Sequence, residues 1–151
     1  MKKPLALATN SGKTVAVLSV TRREEDQFSL QSIFSHSKWM LYKADRLESA
    51  LAVLHEYEIG VVLCERDLLP DLWTDVLERV AVLPYGPSLI VTSRIADDRL
   101  WAKALNLGAY DVLAKPFDRT EVLRSVSLAW LRWHHRHDMG ARPMETTRAA
   151  S

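Results

Sequence analysis

The sequence predicts an α/β domain built on a doubly wound, five-stranded parallel sheet. Three observations lead there. Five short apolar runs alternate strictly with five amphipathic stretches along the chain. The runs are apolar throughout and not merely at every second position, so each strand needs cover on both faces. Right-handed crossovers between parallel strands then place helices on both sides of the sheet.

The first run, Val15-Ala16-Val17-Leu18-Ser19-Val20, has strand length. Thr21 and Glu24 follow at capping-box spacing, which predicts a helix with Phe28, Leu30, Ile33 and Phe34 on its apolar side, to about Ser37. Trp39 to Tyr42 reads as the second strand. Asp45 and Glu48 repeat the capping spacing. Leu47, Ala50, Leu51 and Leu54 then fall at i, i+3, i+4 and i+7 of a second helix. After Gly60, Val61 to Glu65 is the third strand. Pro70 marks a loop, and Leu72, Trp73, Val76, Leu77 and Val80 stripe the third helix.

Pro84, Gly86 and Pro87 punctuate the chain before a fourth strand, Ser88 to Thr92. Leu100, Trp101, Ala104 and Leu105 stripe the fourth helix, which Gly108 closes as a C-terminal cap. Tyr110 to Ala114 is the fifth strand. Asp118 and Glu121 open a last helix with Val122, Val126, Ala129, Trp130 and Trp133 on one side. Most of the five tryptophans fall on these stripes and read as core. Trp130 and Trp133, near the chain end, are expected to be less covered. The predicted organisation is a flexible tail at 1–12, one domain at 13–137 and a disordered tail at 138–151.

Composition excludes several functions. A net charge of +1 leaves no electrostatic footprint for nucleic acid or acidic lipid. No apolar stretch approaches the ~20 residues that span a bilayer. The apolar part of the N-terminus is short and broken by Pro4, so it does not read as a signal peptide, and a cytoplasmic protein is expected. The single cysteine, Cys64, forms no internal disulfide and reads as a small buried side chain. Ser11-Gly12-Lys13-Thr14 lacks the first glycine of a phosphate-binding loop and precedes a strand instead of following one. His134, His135 and His137 have no second cluster of ligands, and near a helix C-terminus they suit its dipole. No metal and no cofactor are expected.

In doubly wound folds the site lies beyond the carboxyl ends of the strands, here just after residues 20, 65, 92 and 114. Those positions carry Thr21 and Arg22, Glu65, Thr92 and Ser93, and Lys115. A strand ending in an acid (Val61 to Glu65) is followed by a strand ending in hydroxyls (Leu89 to Ser93). Gly108-Ala109-Tyr110-Asp111-Val112-Leu113-Ala114-Lys115-Pro116-Phe117 comes next, and Pro70 sits in the loop after the acid. In these features residues 13–133 resemble the receiver domain of bacterial response regulators in two-component signalling. The resemblance implies a flavodoxin-like fold, a pocket made of Thr21, Arg22, Thr92, Ser93 and Lys115, and Glu65 at the phosphoacceptor position.

Two departures from that family stand out. Phosphorylated receivers carry an acidic pair after strand one, where an ungapped reading puts Thr21 and Arg22. They carry an aspartate where Glu65 stands. Aspartyl phosphorylation needs a carboxylate nucleophile and a Mg²⁺ ion in a shell of oxygens. Thr21 offers one neutral oxygen and Arg22 a repelling cation. Many receivers also carry an aromatic three residues before the lysine. Here that residue is Val112, with Tyr110 expected on the same strand face.

The expected function is therefore a stand-alone, pseudo-receiver-like signalling module that binds a protein partner (a signalling protein or kinase) and is not an enzyme. Within this sequence only the segment after Trp133 remains for an output domain. Two alternatives stay open. One is a working phosphoacceptor that uses Glu24 or Glu25 for metal and Glu65 or Asp67 for phosphate. The other is a small-molecule-binding domain with its ligand in the same crevice. A homodimer through the fourth helix, fifth strand and fifth helix is a further expectation, resting on the mixed charges of Arg99, Lys103, Asp111, Asp118 and Arg119. Glu65, at the end of a central strand, is expected to be partly buried and to pair with Lys115, with Arg22 as a second counter-ion in the place of Mg²⁺. It reaches one methylene further than aspartate but carries one negative charge. A phosphoryl group carries about one and a half to two, so Glu65 is an imperfect mimic.

Overall fold

A computed structural model describes residues 14–141, with side chains to residue 138. The predicted tail at 1–12 lies outside the described residues. The strands are β1 (Ala16–Val20), β2 (Met40–Ala44), β3 (Val61–Glu65), β4 (Ser88–Ser93) and β5 (Asp111–Ala114). The helices are α1 (Glu24–Phe34), α2 (Leu47–Glu56), α3 (Trp73–Ala81), α4 (Asp98–Leu107) and α5 (Arg119–Ala141). All four strand pairings are parallel and the spatial order is β2-β1-β3-β4-β5. The predicted doubly wound, flavodoxin-like sheet is the one observed.

The strands pack on both faces, as their uninterrupted apolar runs require. Leu18, Val20, Val62, Cys64, Leu89, Val91 and Val112 turn to one side, against Trp73, Val76 and Leu77 of α3 and Leu100 and Ala104 of α4. Val17, Val61, Leu63, Ile90 and Leu113 turn to the other, against Leu30 and Phe34 of α1 and Val122, Val126, Ala129, Trp130 and Trp133 of α5. Burial in the first layer pushes the Cys64 thiol up to about 12, so it is protonated and unreactive at neutral pH.

The differences from the sequence expectations have local causes. No capping box opens α1. Its N-cap is Arg23, and the Thr21 hydroxyl accepts from the Arg23 N–H at 3.1 Å, a turn that precedes the helix. Asp45 is likewise not the cap of α2. The Leu47 N–H is satisfied by Asp71 Oδ2 at 2.8 Å, and Ser49 Oγ accepts from the Arg46 N–H at 3.2 Å. Phe28 is 76% exposed, because the buried side of α1 runs through Asp26, Leu30 and Phe34. Trp101 is exposed as well. At the end of β4 and the start of β5, Tyr110 precedes the strand and packs on the α5 side, so it does not share a face with Val112.

The largest difference is at α5, which runs to Ala141 instead of ending at His137. Four residues expected in the disordered tail are therefore helical, and the rest of that tail lies outside the described residues. Trp130 and Trp133 are buried, at 7% and 5% exposure, against expectation. Gly60 makes this possible. A Cβ there would meet Trp130 Cδ1 at 2.6 Å and Trp133 Cε3 at 2.8 Å, so only a glycine lets both indoles close over the amino end of β3. Trp133 Nε1 also donates to the Tyr85 carbonyl at 2.9 Å. His134 stacks on Trp130 and His137 on Trp133, with ring centroids 4.7 and 5.1 Å apart. The Gly108 cap of α4 is as expected, in the left-handed region at φ 110°.

Candidate functional site

The carboxyl ends of β1, β3, β4 and β5 converge where the fold predicts a site. Glu65 closes β3 with its side chain on the α1 and α5 side of the sheet, following Val61 and Leu63 at alternate positions. Its side chain is 2% exposed and its Oε1 meets the Lys115 ammonium in an ion pair. Lys115 follows β5 directly, held by its N–H on the Ser93 carbonyl at 3.0 Å and by a cis peptide to Pro116. The second Glu65 oxygen, Oε2, accepts from the Asp67 N–H at 2.8 Å. The expected Glu65–Lys115 pair is thus formed, and it is buried.

A third member was not anticipated. The Lys115 ammonium also contacts Asp26 Oδ2, with the Asp26 side chain 10% exposed and that of Lys115 5% exposed. Asp26 lies on the first turn of α1, and the Thr21 hydroxyl donates to its Oδ2 at 3.4 Å. One ammonium therefore bridges two buried carboxylates drawn from α1 and β3. The formal charge of the triad is −1. The helical period held the clue: Asp26, Leu30 and Phe34 stand four residues apart on one side of α1, so the acid in phase with the core is Asp26.

The other predicted residues fall into two groups. Thr21, Thr92 and Ser93 are buried at the strand ends, and Thr92 is in register with both Glu65 and Leu113. The Ser93 hydroxyl is engaged with Ile95, accepting from its N–H at 3.0 Å and donating to its carbonyl at 3.2 Å. Among the described residues no hydrogen bond joins Thr92 or Ser93 to the triad. Arg22 does not approach Glu65. It is exposed, makes no ion pair among the described residues and lines a separate cleft with Lys43, Asp45 and Ser49. The turn at Thr21 sends the next two side chains outward, and the counter-ion role expected of Arg22 is filled by Lys115 alone. Glu24 and Glu25 are exposed too, because α1 begins at Glu24 and turns them away from the sheet. Asp67 points to solvent and pairs with Arg66 at 3.4 Å.

Mg²⁺ needs a near-octahedral oxygen shell with free carboxylate oxygens. Asp26 Oδ2 and Glu65 Oε1 both face the Lys115 ammonium, and Glu65 Oε2 is held by a backbone N–H. The Lys115 ammonium lies between the two carboxylates and three of their four oxygens are engaged, so the residues supply too few free oxygens to fit the metal. Among the described residues there is no group of three or more acids, histidines or cysteines placed to hold an ion.

Glu65→Ala should cost about 1–3 kcal/mol, because Asp26 still pairs with Lys115. Lys115→Ala should cost about 3–5 kcal/mol, because it leaves two buried carboxylates facing each other. The double variant should cost less than the sum of the singles by about 1 kcal/mol or more. Urea unfolding of the four proteins measures this, and additive costs would contradict the geometry.

The geometry agrees with comparisons to known proteins. The family described as response regulator receiver domain matches residues 10–127. The signal receiver domain of an HD domain-containing protein from Pseudomonas fluorescens Pf-5 superimposes with a TM-score of 0.73 at 27% identity, over 82% of this chain and 99% of that one. A CheY-like receiver domain protein from Methanospirillum hungatei JF-1 gives 0.72 at 18% identity, over 82% and 99%. A chemotaxis response regulator of Vibrio cholerae gives 0.70 at 13%, over 78% and 99%. The last two likenesses speak for the fold alone. No curated protein sequence matches the chain. Among the described residues no helix is long and apolar enough to cross a membrane. With more than three quarters of its length matched by the family and its fold shared with solved receivers, the chain belongs to the response regulator receiver domains of two-component signalling.

Proposed function

We propose that this receiver domain signals by binding a protein partner, without catalysis and without Mg²⁺-dependent phosphorylation. One observation carries the reading: the two carboxylates of the crevice, Asp26 and Glu65, close on the Lys115 ammonium, and the positions after β1 add no acid, only buried Thr21 and exposed Arg22. Glu65 is a poor nucleophile in this setting, since one oxygen is ion-paired and the other accepts a backbone N–H. The acids that could have restored the metal, Glu24 and Glu25, are turned to solvent. The shared ion pair ties α1 to the strand ends.

The partner surface we favour is the face of α4, β5 and α5. Part of its expected charge is already engaged. Asp111 Oδ2 accepts from the Ser125 hydroxyl at 2.6 Å, and Arg119 donates to the Ile33 carbonyl of α1 at 3.4 Å. Arg99, Lys103 and Asp118 remain at the surface, and the helices of this face also expose Trp101, Leu107, Leu128 and Leu131. Exposed aromatic and aliphatic side chains with a charged rim suit a protein interface. The simplest occupant is a second copy of the chain.

Incubation with a small phosphodonor and Mg²⁺ should leave the intact mass unchanged. A phosphoryl adduct mapped to Glu65 or Asp67 would overturn the first half of the proposal. Light scattering should show the molar mass rising towards a dimer with concentration, and Trp101→Ala should prevent the rise. A monomer at every concentration would remove the homodimer.

A further inference from the structure

A second concave site lies at the opposite end of the sheet. Four residue steps of β4, from Thr92 beside Glu65 to Ser88, separate it from Glu65, roughly 13 Å at strand rise. It opens between the C-terminal half of α3, the 83–87 loop, the start of β4 and α5, and encloses about 380 Å³, the size of small-molecule sites. Leu77, Val80 and Leu89 give it an apolar wall. Arg132 and Arg136 stand over it from α5 at i and i+4, which places both on one side of the helix. No acidic residue lines it, and neither guanidinium has a carboxylate partner among the described residues.

We propose that this cleft binds a small organic anion, a carboxylate or phosphate carried on an aromatic or branched apolar body. The two guanidiniums are positioned before any ligand arrives. Arg132 lies over the Tyr110 ring, 5.7 Å from its centroid, and Arg136 donates to the Gly86 carbonyl at 3.3 Å. Each arginine keeps further donors in a planar fork that matches carboxylate and phosphate oxygens. The loop wall is held in place as well. A Cβ at Gly86 would meet the Val80 carbonyl at 2.4 Å, so glycine lets the loop fold back onto the end of α3, and the Tyr85 carbonyl is tied to α5 by Trp133. Preorganised donors and an apolar wall lower the ordering cost of binding. The apolar wall takes the body of the ligand, and the arginine pair takes its charge. Such a ligand reaches the domain without passing through Glu65.

Salicylate, phenyl phosphate and neutral salicylamide, titrated into the ¹⁵N-labelled full chain, test this. Either anion should move the Gly86, Gly108 and Tyr110 amides along saturable curves, and the tighter of the two identifies the head group. Salicylamide should bind roughly tenfold more weakly or worse, as should both anions to Arg132→Gln and Arg136→Gln, since each charge-assisted contact is worth about that factor. Arg124→Gln, an exposed charge of the same helix outside the cleft, should bind as the parent does. Dispersed spectra establish that each variant is folded. Non-saturating shifts, equal binding of salicylamide, or unchanged affinity in folded Arg132→Gln and Arg136→Gln would each overturn the proposal.

Discussion

Lys115 holds three parts of the chain together with one ammonium group. It belongs to the turn after β5, Glu65 to the end of β3 and Asp26 to the first turn of α1. All three side chains are nine-tenths buried or more. Charges so placed need partners, because an unpaired buried charge costs several kcal/mol. The arrangement thus fixes α1 against the sheet, fixes the exit of β5, and engages Asp26 Oδ2 and both oxygens of Glu65. The outward turn at Thr21 and Arg22 and the solvent exposure of Glu24 and Glu25 are compatible with it, since the crevice requires no further charge from them.

The fold was legible because its signals are redundant. Val61 to Glu65 is buried at every position, and the sequence shows an unbroken apolar run there. Gly108 ends α4 by the backbone conformation its composition suggested. The site was legible in part. Glu65 and Lys115 could be paired from charge, from their places at strand ends and from the resemblance to receivers, although β4 lies between their strands. Asp26 could not be reached by reading residues adjacent to the strand ends, because its route into the crevice is through helical phase. Phe28 misled for the same reason: hydrophobicity placed it on the apolar side of α1, while the stripe through Asp26, Leu30 and Phe34 excludes it. Trp130 and Trp133 were misjudged because their burial depends on a missing side chain at Gly60, a contact between distant segments that no local pattern encodes.

The two ends of the sheet differ in electrostatic character. At the carboxyl ends, two acids share one internal cation and the cluster keeps a formal charge of −1. At the amino ends, two arginines stand over an apolar wall with no acid beside them. Receivers of the wider family take their input at the carboxyl ends.

On the proposed reading, Lys115 occupies the electrostatic place of a metal ion. The most direct measurement is a titration of MgCl₂ into the ¹⁵N-labelled protein, followed at the Thr21, Asp26, Glu65 and Lys115 amides. The account predicts no saturable change at these four positions at any millimolar concentration. A saturating shift centred on Asp26 and Glu65 would show that the carboxylates release the lysine for a metal, and would contradict it.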